Sequence, residues 1–360
     1  MTNSVPEFSA YTECFLITGS NTTEAHPLVA SHVMEGLERG AKLIVVDPRE
    51  VQIGRLAHLY LRPRPGTDVA WLNGLMNVII TEGLADEEFI ANRTEGYEEL
   101  KQVVLEYTPE RVEEITSIPA DDLRKAARMY ASHKPAAILY AMGITQHSTG
   151  TDNVKSCANL AMLTGNMGIP GGGVNPLRGQ NNVQGACDLG GLPNVYPGYQ
   201  KVTLPEMKEK FEKAWGVTGL SDKVGLQVTQ MIYGACDGSV RALYVMAENP
   251  LLSDPDINHA RHCLEQLDFL VVQDIFLSET ARLADVVLPG TSYLEKEGTF
   301  TGTDRRIQRV RKVIEPVGDS RADWEIICQL GQRMGASGFD FASPKEVMEE
   351  IARLTPIYGG

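Results

Sequence analysis

The sequence predicts an α/β fold with two units, each built around a parallel β-sheet. In the first unit, the apolar segments CFLIT (14–18) and KLIVV (42–46) are joined by one amphipathic helix, which is the pattern of a β-α-β unit. The pattern recurs at ALYVM (242–246) and FLVV (269–272), with another helix predicted between them. Because strands connected through a helix run parallel, each half of the chain is expected to form its own parallel sheet.

Along the chain, the first unit is predicted to cover residues 1–180 and the second residues 181–292, followed by a partial segment of a further domain at 293–360 that ends in helices. The first strand breaks at Gly19, and a helix is expected from Pro27 to Glu38. Asp68 is expected to cap a helix that runs to residue 82. Further helices are predicted within 86–132 and at 152–164, 204–215, 225–236, 257–264, 323–335 and 344–354, and further strands at 136–140 and 286–288.

The chain is acidic and has enough apolar residues for large cores. Its 360 residues are 43% hydrophobic and carry a formal net charge of −14. This balance argues against a nucleic-acid partner, because nucleic-acid-binding surfaces carry an excess of Lys and Arg. The basic residues between positions 305 and 312 alternate with apolar ones, and we interpret them as the solvated face of a strand rather than a polyanion site.

Six cysteines are scattered along the chain, and no two of them form a C-x-x-C pair. The sequence therefore shows neither a zinc nor an iron–sulfur spacing, and no residue is predicted to ligate a metal. Several of the cysteines lie inside apolar stretches and are interpreted as buried free thiols, and no disulfide framework is expected. Because the first 13 residues lack a basic signal-peptide region and no apolar run approaches about 18 residues, we expect a cytoplasmic protein without a membrane span.

Residues 171–190, GGGVNPLRGQNNVQGACDLG, are the most informative segment of the chain. They are rich in Gly, Asn and Gln and contain one cation, Arg178. No apolar run in them predicts a core element, so we expect a long ordered loop, a kind of segment that is usually functional. Backbone donors, side-chain amides and one guanidinium suit the binding of a polyanionic or carboxylate ligand.

Polar residues follow the predicted strands at the sheet edge where open α/β folds bind ligands. After the first two strands these residues are Gly19, Ser20, Asn21, Glu24, Asp47 and Arg49. They suggest a dinucleotide site, but GSNTTEAHP holds a single Gly and matches neither G-x-G-x-x-G nor a P-loop. On these residues alone, a helix cap and a strand-ending turn is the better interpretation. A second copy favours two nucleotide crevices, since Glu248, Asn249, Gln273 and Asp274 follow the later strands.

The segment MLTGNMGIPGGGVNPLRGQNNVQGACD (162–188) closely resembles the catalytic subunit of molybdenum- or tungsten-dependent formate dehydrogenases, in the bis-molybdopterin-guanine-dinucleotide oxidoreductase superfamily. The resemblance implies two Rossmann-like units of the molybdopterin oxidoreductase fold and the oxidation of formate to carbon dioxide. It also implies two pterin guanine dinucleotides around one Mo or W. Electrons would leave through a 4Fe–4S cluster of the full-length parent to electron-transfer subunits or a ferredoxin-like acceptor.

The resemblance also implies roles for individual residues. Arg178, in the RGQNN segment, would orient the formate carboxylate. One guanine dinucleotide would be held by residues of GSNTTEAHP, VVDPRE, RPGTD, AMGITQ and RGQ, namely Ser20, Asn21, Glu24, Asp47, Arg49, Gly66, Asp68, Met142, Gly143, Gln146, Gly179 and Gln180. The other would lie against Glu248, Asn249, Gln273, Asp274 and Asp323.

Full-length members of that family carry an N-terminal cluster-binding segment, a metal-ligating Cys or selenocysteine followed by His, and a C-terminal β-rich domain. None of these is found in the sequence, so we expect an internal fragment that is inactive in isolation. If the missing ligand is selenocysteine, its codon reads as a stop, which would explain a false start at Met1. An in-frame TGA followed by a His codon upstream is the expected genomic observation.

Three alternatives to a formate dehydrogenase stay open at the level of sequence. A nitrate reductase-like molybdopterin oxidoreductase shares the superfamily, but the unbroken RGQNNVQGACD wording resembles the formate dehydrogenase form. A non-catalytic pterin- or nucleotide-binding fragment would retain guanine dinucleotide without metal. An NAD-dependent dehydrogenase is weakened by the missing glycine fingerprint.

Overall fold

The computed structural model describes residues 1–359 and divides into two compact units. The first unit comprises residues 1–183 together with 302–306, and the second comprises residues 184–301 together with 307–359. The finer boundaries expected at 180 and 292 remain predictions.

The first unit is built on a five-stranded sheet in which every neighbouring pair is parallel. The strand order is β3-β2-β1-β4-β5. The strands are β1 Cys14–Thr18, β2 Lys42–Val46, β3 Leu59–Leu61, β4 Ala136–Tyr140 and β5 Gly173–Pro176. Strand order reverses direction beside β1, between β2 and β4, and this is where open α/β sheets form a ligand crevice.

Helices cover both faces of this sheet, because successive residues of each strand point to opposite sides. Leu16 packs into one core together with Trp71, whereas Phe15 packs into the other together with Val33. All five residues of β1 are buried, which explains the continuous apolar run CFLIT. The helices of this unit are α1 Val5–Tyr11, α2 Thr22–Ala25, α3 Pro27–Glu38, α4 Asp68–Thr81, α5 Glu87–Arg93, α6 Tyr97–Leu105, α7 Pro109–Thr116, α8 Ala120–Ser132, α9 Met142–Thr145 and α10 Gly150–Leu163. A 3-10 turn, Gln52–Leu56, precedes β3.

The second unit contains a three-stranded parallel sheet and two antiparallel strand pairs. Its larger sheet has the order β10-β9-β8, and the pairs are β6 with β7 and β11 with β12. The strands are β6 Val195–Tyr196, β7 Gln200–Lys201, β8 Ala242–Met246, β9 Phe269–Asp274, β10 Val286–Pro289, β11 Gly298–Thr301 and β12 Ile307–Val310. The helices are α11 Val183–Asp188 at the boundary, α12 Pro205–Trp215, α13 Val228–Asp237, α14 Pro250–Ser253, α15 Ile257–Leu264, α16 Asp323–Arg333 and α17 Pro344–Leu354, with a 3-10 turn at Ala281–Leu283.

The predicted fold class is confirmed, since both units contain parallel α/β sheets. The apolar strands and most helices lie within a few residues of their predicted positions. The sequence did not predict the first helix, Val5–Tyr11, or the short strand Leu59–Leu61. The helix has seven residues and the strand only three, so neither is long enough for its pattern to stand out.

Residues 171–190 are not one long loop, which corrects the prediction. They contain β5, which pairs with β4 at the edge of the sheet, and α11. The segment GVNP has one branched apolar residue, so its strand is set by backbone pairing rather than by side-chain pattern. Pro176 lacks an N–H and is tolerated because β5 is an edge strand.

Asp68 is the first residue of α4 rather than its cap, and Thr67 occupies the N-cap position without a side-chain capping bond. An acid in the first turn still interacts favourably with the helix dipole. The basic residues Arg305, Arg306 and Arg309 are exposed around β12, as the prediction of a solvated strand face requires.

The cysteine prediction is wrong at one pair. Cys236 and Cys263 form a disulfide in the second unit, and the remaining four cysteines are free thiols. The two partners are 27 positions apart, and two packed helices bring them together, which spacing alone does not reveal. Among residues 1–359, no helix combines the length and the hydrophobicity that a bilayer crossing requires.

Candidate functional site

The centre of the first candidate site is a close approach of two glycines at the ends of β1 and β4. The Gly143 N–H donates to the Gly19 carbonyl over 3.0 Å. A Cβ on Gly19, where φ is +55°, would lie 2.6 Å from the Gly143 carbonyl carbon, and a Cβ on Gly143 would lie 2.6 Å from the Gly19 Cα. Only glycine fits at both positions. This close approach of Gly19 and Gly143, which we call the glycine crossing, leaves backbone groups rather than side chains exposed at the edge of the sheet.

We use the name first crevice for the carboxyl edge of this sheet, lined by the residues that follow its five strands. Ser20 is buried, and its hydroxyl lies 2.9 Å from the Thr22 hydroxyl. Asn21 occupies the N-cap of α2 without a side-chain capping bond. Glu24 is exposed on α2. The segment therefore presents both buried hydroxyls and an exposed acid beyond β1.

Asp47 directly follows β2 and is a buried carboxylate. Its side chain is 8% exposed, and its Oδ1 accepts the Arg49 N–H over 2.9 Å. Burial raises the pKa of Asp47, the Arg49 N–H and guanidinium oppose that rise, and repulsion from Asp68 adds to it. The Tyr60 hydroxyl donates to the Asp47 carbonyl over 2.9 Å and holds the turn in place. The Arg49 side chain itself is exposed.

Asp68 is the second partly buried acid of the first crevice. Burial raises its pKa, while a hydrogen bond from the Trp71 ring N–H (3.3 Å to Oδ1) and the nearby His147 lower it. The His147 Nε2 lies 3.9 Å from Asp68 Oδ2 and 2.9 Å from the Gly143 carbonyl. Gly66, in the turn before α4, has a φ of +81° and is exposed. Asp68 is thus tied through His147 to the glycine crossing.

Arg178 follows β5, and hydrogen bonds to its backbone N–H and carbonyl groups hold it in place. Its N–H donates to the Thr303 hydroxyl over 3.2 Å, and its carbonyl accepts from the His26 Nε2 over 2.9 Å. The Thr303 hydroxyl donates in turn to the Pro176 carbonyl over 3.1 Å. Both anchors come from distant parts of the first unit, so the position of Arg178 depends on tertiary packing.

Two buried nitrogens at this point have no hydrogen-bond partner among the described residues. They are the Arg178 Nε and the His26 Nδ1. Since the Arg178 carbonyl can only accept, the His26 Nε2 carries the proton of that bond, which makes Nδ1 the unpaired ring atom. Buried polar groups are normally paired, so an unpaired guanidinium N–H points to a ligand acceptor.

The remaining predicted residues of the first unit lie at the ends of β4 and β5. Met142 opens α9 and is 41% exposed, and the Gln146 N–H donates to its carbonyl over 2.8 Å. A Cβ on Gly179 would lie 3.9 Å from the Met142 sulfur, so the two strand ends approach each other. Gln180 is exposed beside them.

In the second unit, the residues after β8 are largely engaged in local structure. We use the name second crevice for the carboxyl edge of the sheet formed by β8, β9 and β10. The Asn249 Oδ1 accepts from the Thr280 hydroxyl over 2.7 Å, and its Nδ2 donates to Glu279 over 2.7 Å. Glu248 precedes it, and burial raises its pKa, with repulsion from Asp254 acting the same way.

A hydrogen-bonded network around the buried amide of Gln273 links β9 to α16 in the second crevice. The Gln273 Nε2 donates to Asp323 Oδ1 over 2.7 Å, while its Oε1 accepts from the Tyr244 hydroxyl. Lys296 forms an ion pair with the other oxygen of Asp323. Gln273 is 1% exposed, so this network fixes the orientation of its amide.

Asp274 ends β9 by accepting backbone N–H groups. Its Oδ1 lies 2.6 Å from the Ile275 nitrogen and 3.3 Å from the Phe276 nitrogen. The carboxylate is therefore partly used to turn the chain, and a ligand must share it. Gly290, beyond β10, completes this edge, since a Cβ there would lie 3.1 Å from Asp323 Oδ1.

The predicted residues thus gather at two strand edges, one in each unit, and each group lies where an α/β sheet binds nucleotides. Their roles in binding remain predictions. Two residues of the first crevice were not assigned by sequence reasoning. His26 lies within the quoted segment GSNTTEAHP but was interpreted as a helix-start residue, and Thr303 gave no signal at all.

Comparison with known proteins gives one family match, two curated relatives and one solved structure. A family model described as Molybdopterin oxidoreductase matches residues 8–333. The F420-dependent formate dehydrogenase 1 subunit alpha of Methanococcus maripaludis is 52% identical over 100% of this chain and 53% of its own length. Formate dehydrogenase H of Escherichia coli is 46% identical over 100% of this chain and 50% of its own length.

Among solved structures, acetylene hydratase from Pelobacter acetylenicus aligns with a TM-score of 0.78 and 27% identity, covering 97% of this chain and 52% of that one. The chain spans about half the length of the curated relatives it matches.

Proposed function

Because this chain belongs to the molybdopterin oxidoreductase family, we propose that it forms the two nucleotide-binding units of a formate dehydrogenase catalytic subunit. The enzyme that contains it would oxidise formate to carbon dioxide, one proton and two electrons. The relatives that are 46–52% identical along the whole chain support this activity. The observation within the site that carries it is the buried, unpaired Nε of Arg178 at a strand edge.

The proposed cofactor is a pterin bound as the guanine dinucleotide, one in each crevice, on Mo or W. The first crevice fits such a group in two respects. Its two glycines, Gly19 and Gly143, have no room for a Cβ and leave backbone groups open to a ligand. Its buried acid Asp47 and its half-buried acid Asp68 can accept from a guanine edge or a ribose. When bound, the cofactor supplies the two-electron redox chemistry.

In the second crevice, the proposed contacts are more constrained. Tyr244 and Asp323 orient the Gln273 amide, so the hydrogen-bonding capacity that the amide has left points in one fixed direction. Asp274 has a carboxylate oxygen beyond the one that caps the turn. A ligand that matches these fixed groups orders few further side chains on binding, which favours a specific base over a generic anion.

Arg178 is proposed to bind and orient the formate carboxylate. Its guanidinium is planar and always charged, and it presents two parallel donors to a carboxylate. The His26 and Thr303 hydrogen bonds fix the backbone of this residue, so the guanidinium starts from a defined position. Orientation of a small substrate in this way accelerates reaction because it removes unproductive poses.

The electrons would leave through a 4Fe–4S cluster in the full-length enzyme to electron-transfer subunits or a ferredoxin-like acceptor. The likeness to acetylene hydratase favours one alternative, a hydration without net redox change on the same fold. The much higher identity to formate dehydrogenases favours the redox reaction.

The test uses a full-length enzyme that contains this chain, purified without oxygen and loaded with metal and pterin. Formate-dependent reduction of an artificial electron-accepting dye is the expected result, with no conversion of acetylene to acetaldehyde. A fully loaded enzyme that reduces no dye with formate contradicts the proposal, and acetylene hydration by that enzyme would favour the alternative.

A further inference from the structure

We propose that Cys236, His259 and Cys263 form a zinc-binding site in the second unit when the two cysteines are reduced. The ligand atoms of these three side chains all lie within 4.8 Å of one another. The His259 Nε2 is 3.3 Å from the Cys263 sulfur. Two sulfurs and one imidazole nitrogen at such distances form a potential coordination site rather than a chance surface cluster.

The local fold explains why the three side chains meet. His259 and Cys263 are four residues apart on α15, so they lie on the same face of that helix. Cys236 lies near the end of α13, which packs against α15, and its Cα is 4.3 Å from that of Cys263. Cys263 is fully buried, whereas Cys236 and His259 are half-buried. One ligand of the site is therefore shielded from solvent, and the other two can be reached by a metal ion from solvent.

The ligand set selects the metal. Thiolate and imidazole ligands favour zinc over hard cations such as calcium or magnesium, which prefer oxygen. In a tetrahedral zinc site with Zn–S bonds of about 2.3 Å, the two sulfurs stand roughly 3.7 Å apart, within the spread that these side chains allow. A zinc ion there would tie α13 to α15.

The disulfide and the zinc complex are alternative states of one cysteine pair. A phosphine and water reduce the disulfide by two electrons, which gives two thiols and the phosphine oxide. Zinc then displaces one proton from each thiol and accepts the lone pair of the His259 Nε2. The disulfide leaves no thiolate for the metal, so oxidation and zinc binding exclude each other.

Solvent can supply the fourth zinc ligand. A cleft of about 80 Å³ opens beside His259 and is lined by Tyr233, Asp254 and Asp256 among others. The Asp256 carboxylate caps α15 by accepting the His259 N–H over 3.2 Å. The Tyr233 ring lies 5.0 Å from the His259 ring, centroid to centroid, and restricts its rotation. We therefore assign the fourth position to a water molecule in this cleft.

This site uses none of the residues assigned to formate or pterin binding. Zinc binding can therefore be tested independently of the proposed function. The sequence showed no metal-binding spacing, because the ligands come from two helices and are up to 27 positions apart. Zinc bound there would replace the disulfide as the link between the two helices.

The experiment uses the 360-residue chain, reduced with a phosphine, freed of reductant without oxygen, and titrated with zinc chloride. One zinc per chain should bind, and cobalt chloride should give a thiolate-to-cobalt charge-transfer band. Zinc should protect the half-buried Cys236 from alkylation by iodoacetamide, while the half-buried free thiol Cys187 stays reactive. A folded, reduced chain that binds no zinc, or in which zinc leaves Cys236 unprotected, overturns the proposal.

Variants separate the three ligands from other metal-binding groups. Cys236→Ser should abolish stoichiometric binding, and His259→Gln should weaken it by at least about tenfold. His262→Gln is the matched control, because His262 lies on the same helix but is exposed and outside the cluster. Equal zinc affinity of the His259 and His262 variants contradicts the assignment. If Cys236→Ser does not fold, the alkylation pattern of the wild-type chain decides the question.

Discussion

At the scale of single residues, Arg178 is the group proposed to orient the substrate. In a full-length enzyme, Arg178→Lys should lower kcat/KM for formate by about tenfold or more, equivalent to about 1.4 kcal/mol. Lysine keeps the charge but lacks the two-donor fork, so the carboxylate is bound without being oriented. Steady-state kinetics at measured metal occupancy check this.

The control for that variant is Arg305→Lys, since Arg305 belongs to the same unit and its side chain is exposed. It should leave kcat/KM unchanged. Equal kinetics of the two variants would show that Arg178 does not contact the substrate.

The buried acid Asp47 gives a second prediction, on pH dependence. Burial raises its pKa above the ordinary value of 3.8. A group whose folded pKa is raised adds stability below its unfolded pKa, and this contribution is lost as the pH rises through the folded pKa. Asp47→Asn removes the titration and keeps the acceptor for the Arg49 N–H, so the variant should gain in melting temperature relative to wild type as the pH rises from acid to neutral.

Glu82→Gln provides the control of opposite sign for this prediction. The hydrogen bond from Arg128 lowers the pKa of Glu82, so its contribution is present above the unfolded pKa and is lost in acid. This variant should lose melting temperature relative to wild type toward neutral pH. Parallel pH profiles of the two variants would contradict the burial argument, and differential scanning fluorimetry from acid to neutral pH measures both.

Sequence reasoning reached Arg178 because the segment around it resembles a known one and because strand edges bind ligands. It could not reach the groups that fix Arg178. His26 is 152 positions away and Thr303 is 125 positions away, and neither side chain belongs to a pattern that predicts contact. Long-range hydrogen bonds of this kind are set by packing, which a single sequence does not display.

At the scale of elements, the close approach of Gly19 and Gly143, which follow β1 and β4, is the most constrained feature of the first crevice. Gly19→Ala would combine a positive φ with a Cβ placed 2.6 Å from the Gly143 backbone. Because backbone cannot move aside as a flexible side chain does, we expect a loss of about 2–4 kcal/mol in the free energy of unfolding. Chemical denaturation of the 360-residue chain measures this loss from the transition in which the first unit unfolds.

Gly83→Ala is the matched control, because Gly83 also has a positive φ, +67°, but a Cβ at this position would meet no atom within 4 Å. It carries only the conformational cost, about 1 kcal/mol. A similar loss in both variants would mean that the glycine crossing is looser than the structure indicates.

The elements that the sequence predicted share one property, which is a clear side-chain pattern. β1 and β2 are buried on both faces and appear as continuous apolar runs. β5 was missed because Gly, Asn and Pro fill three of its four positions, and pairing with β4 alone makes it a strand. The disulfide was missed for a related reason, since helix packing and not spacing joins Cys236 to Cys263.

At the scale of the whole molecule, the predicted α/β class with parallel sheets is confirmed, and the chain contains two such units. The central claim is that each unit holds one guanine dinucleotide. Asp47 directly follows one strand and Asp274 ends another, in different units, each with a carboxylate oxygen already bonded to a backbone N–H. An Asn at either position keeps that bond but replaces the second carboxylate oxygen by a donor, which should cost about 1.5–3 kcal/mol at that crevice alone.

The most direct test counts the guanine nucleotides released by acid denaturation from a full-length enzyme, relative to protein. Wild type should release one equivalent per unit, and Asp47→Asn and Asp274→Asn should each lose guanine from one crevice while retaining the other. The double variant should lose both. Full retention in both single variants, or complete loss of guanine in either one while the fold stays intact by circular dichroism, contradicts the assignment of one nucleotide to each crevice.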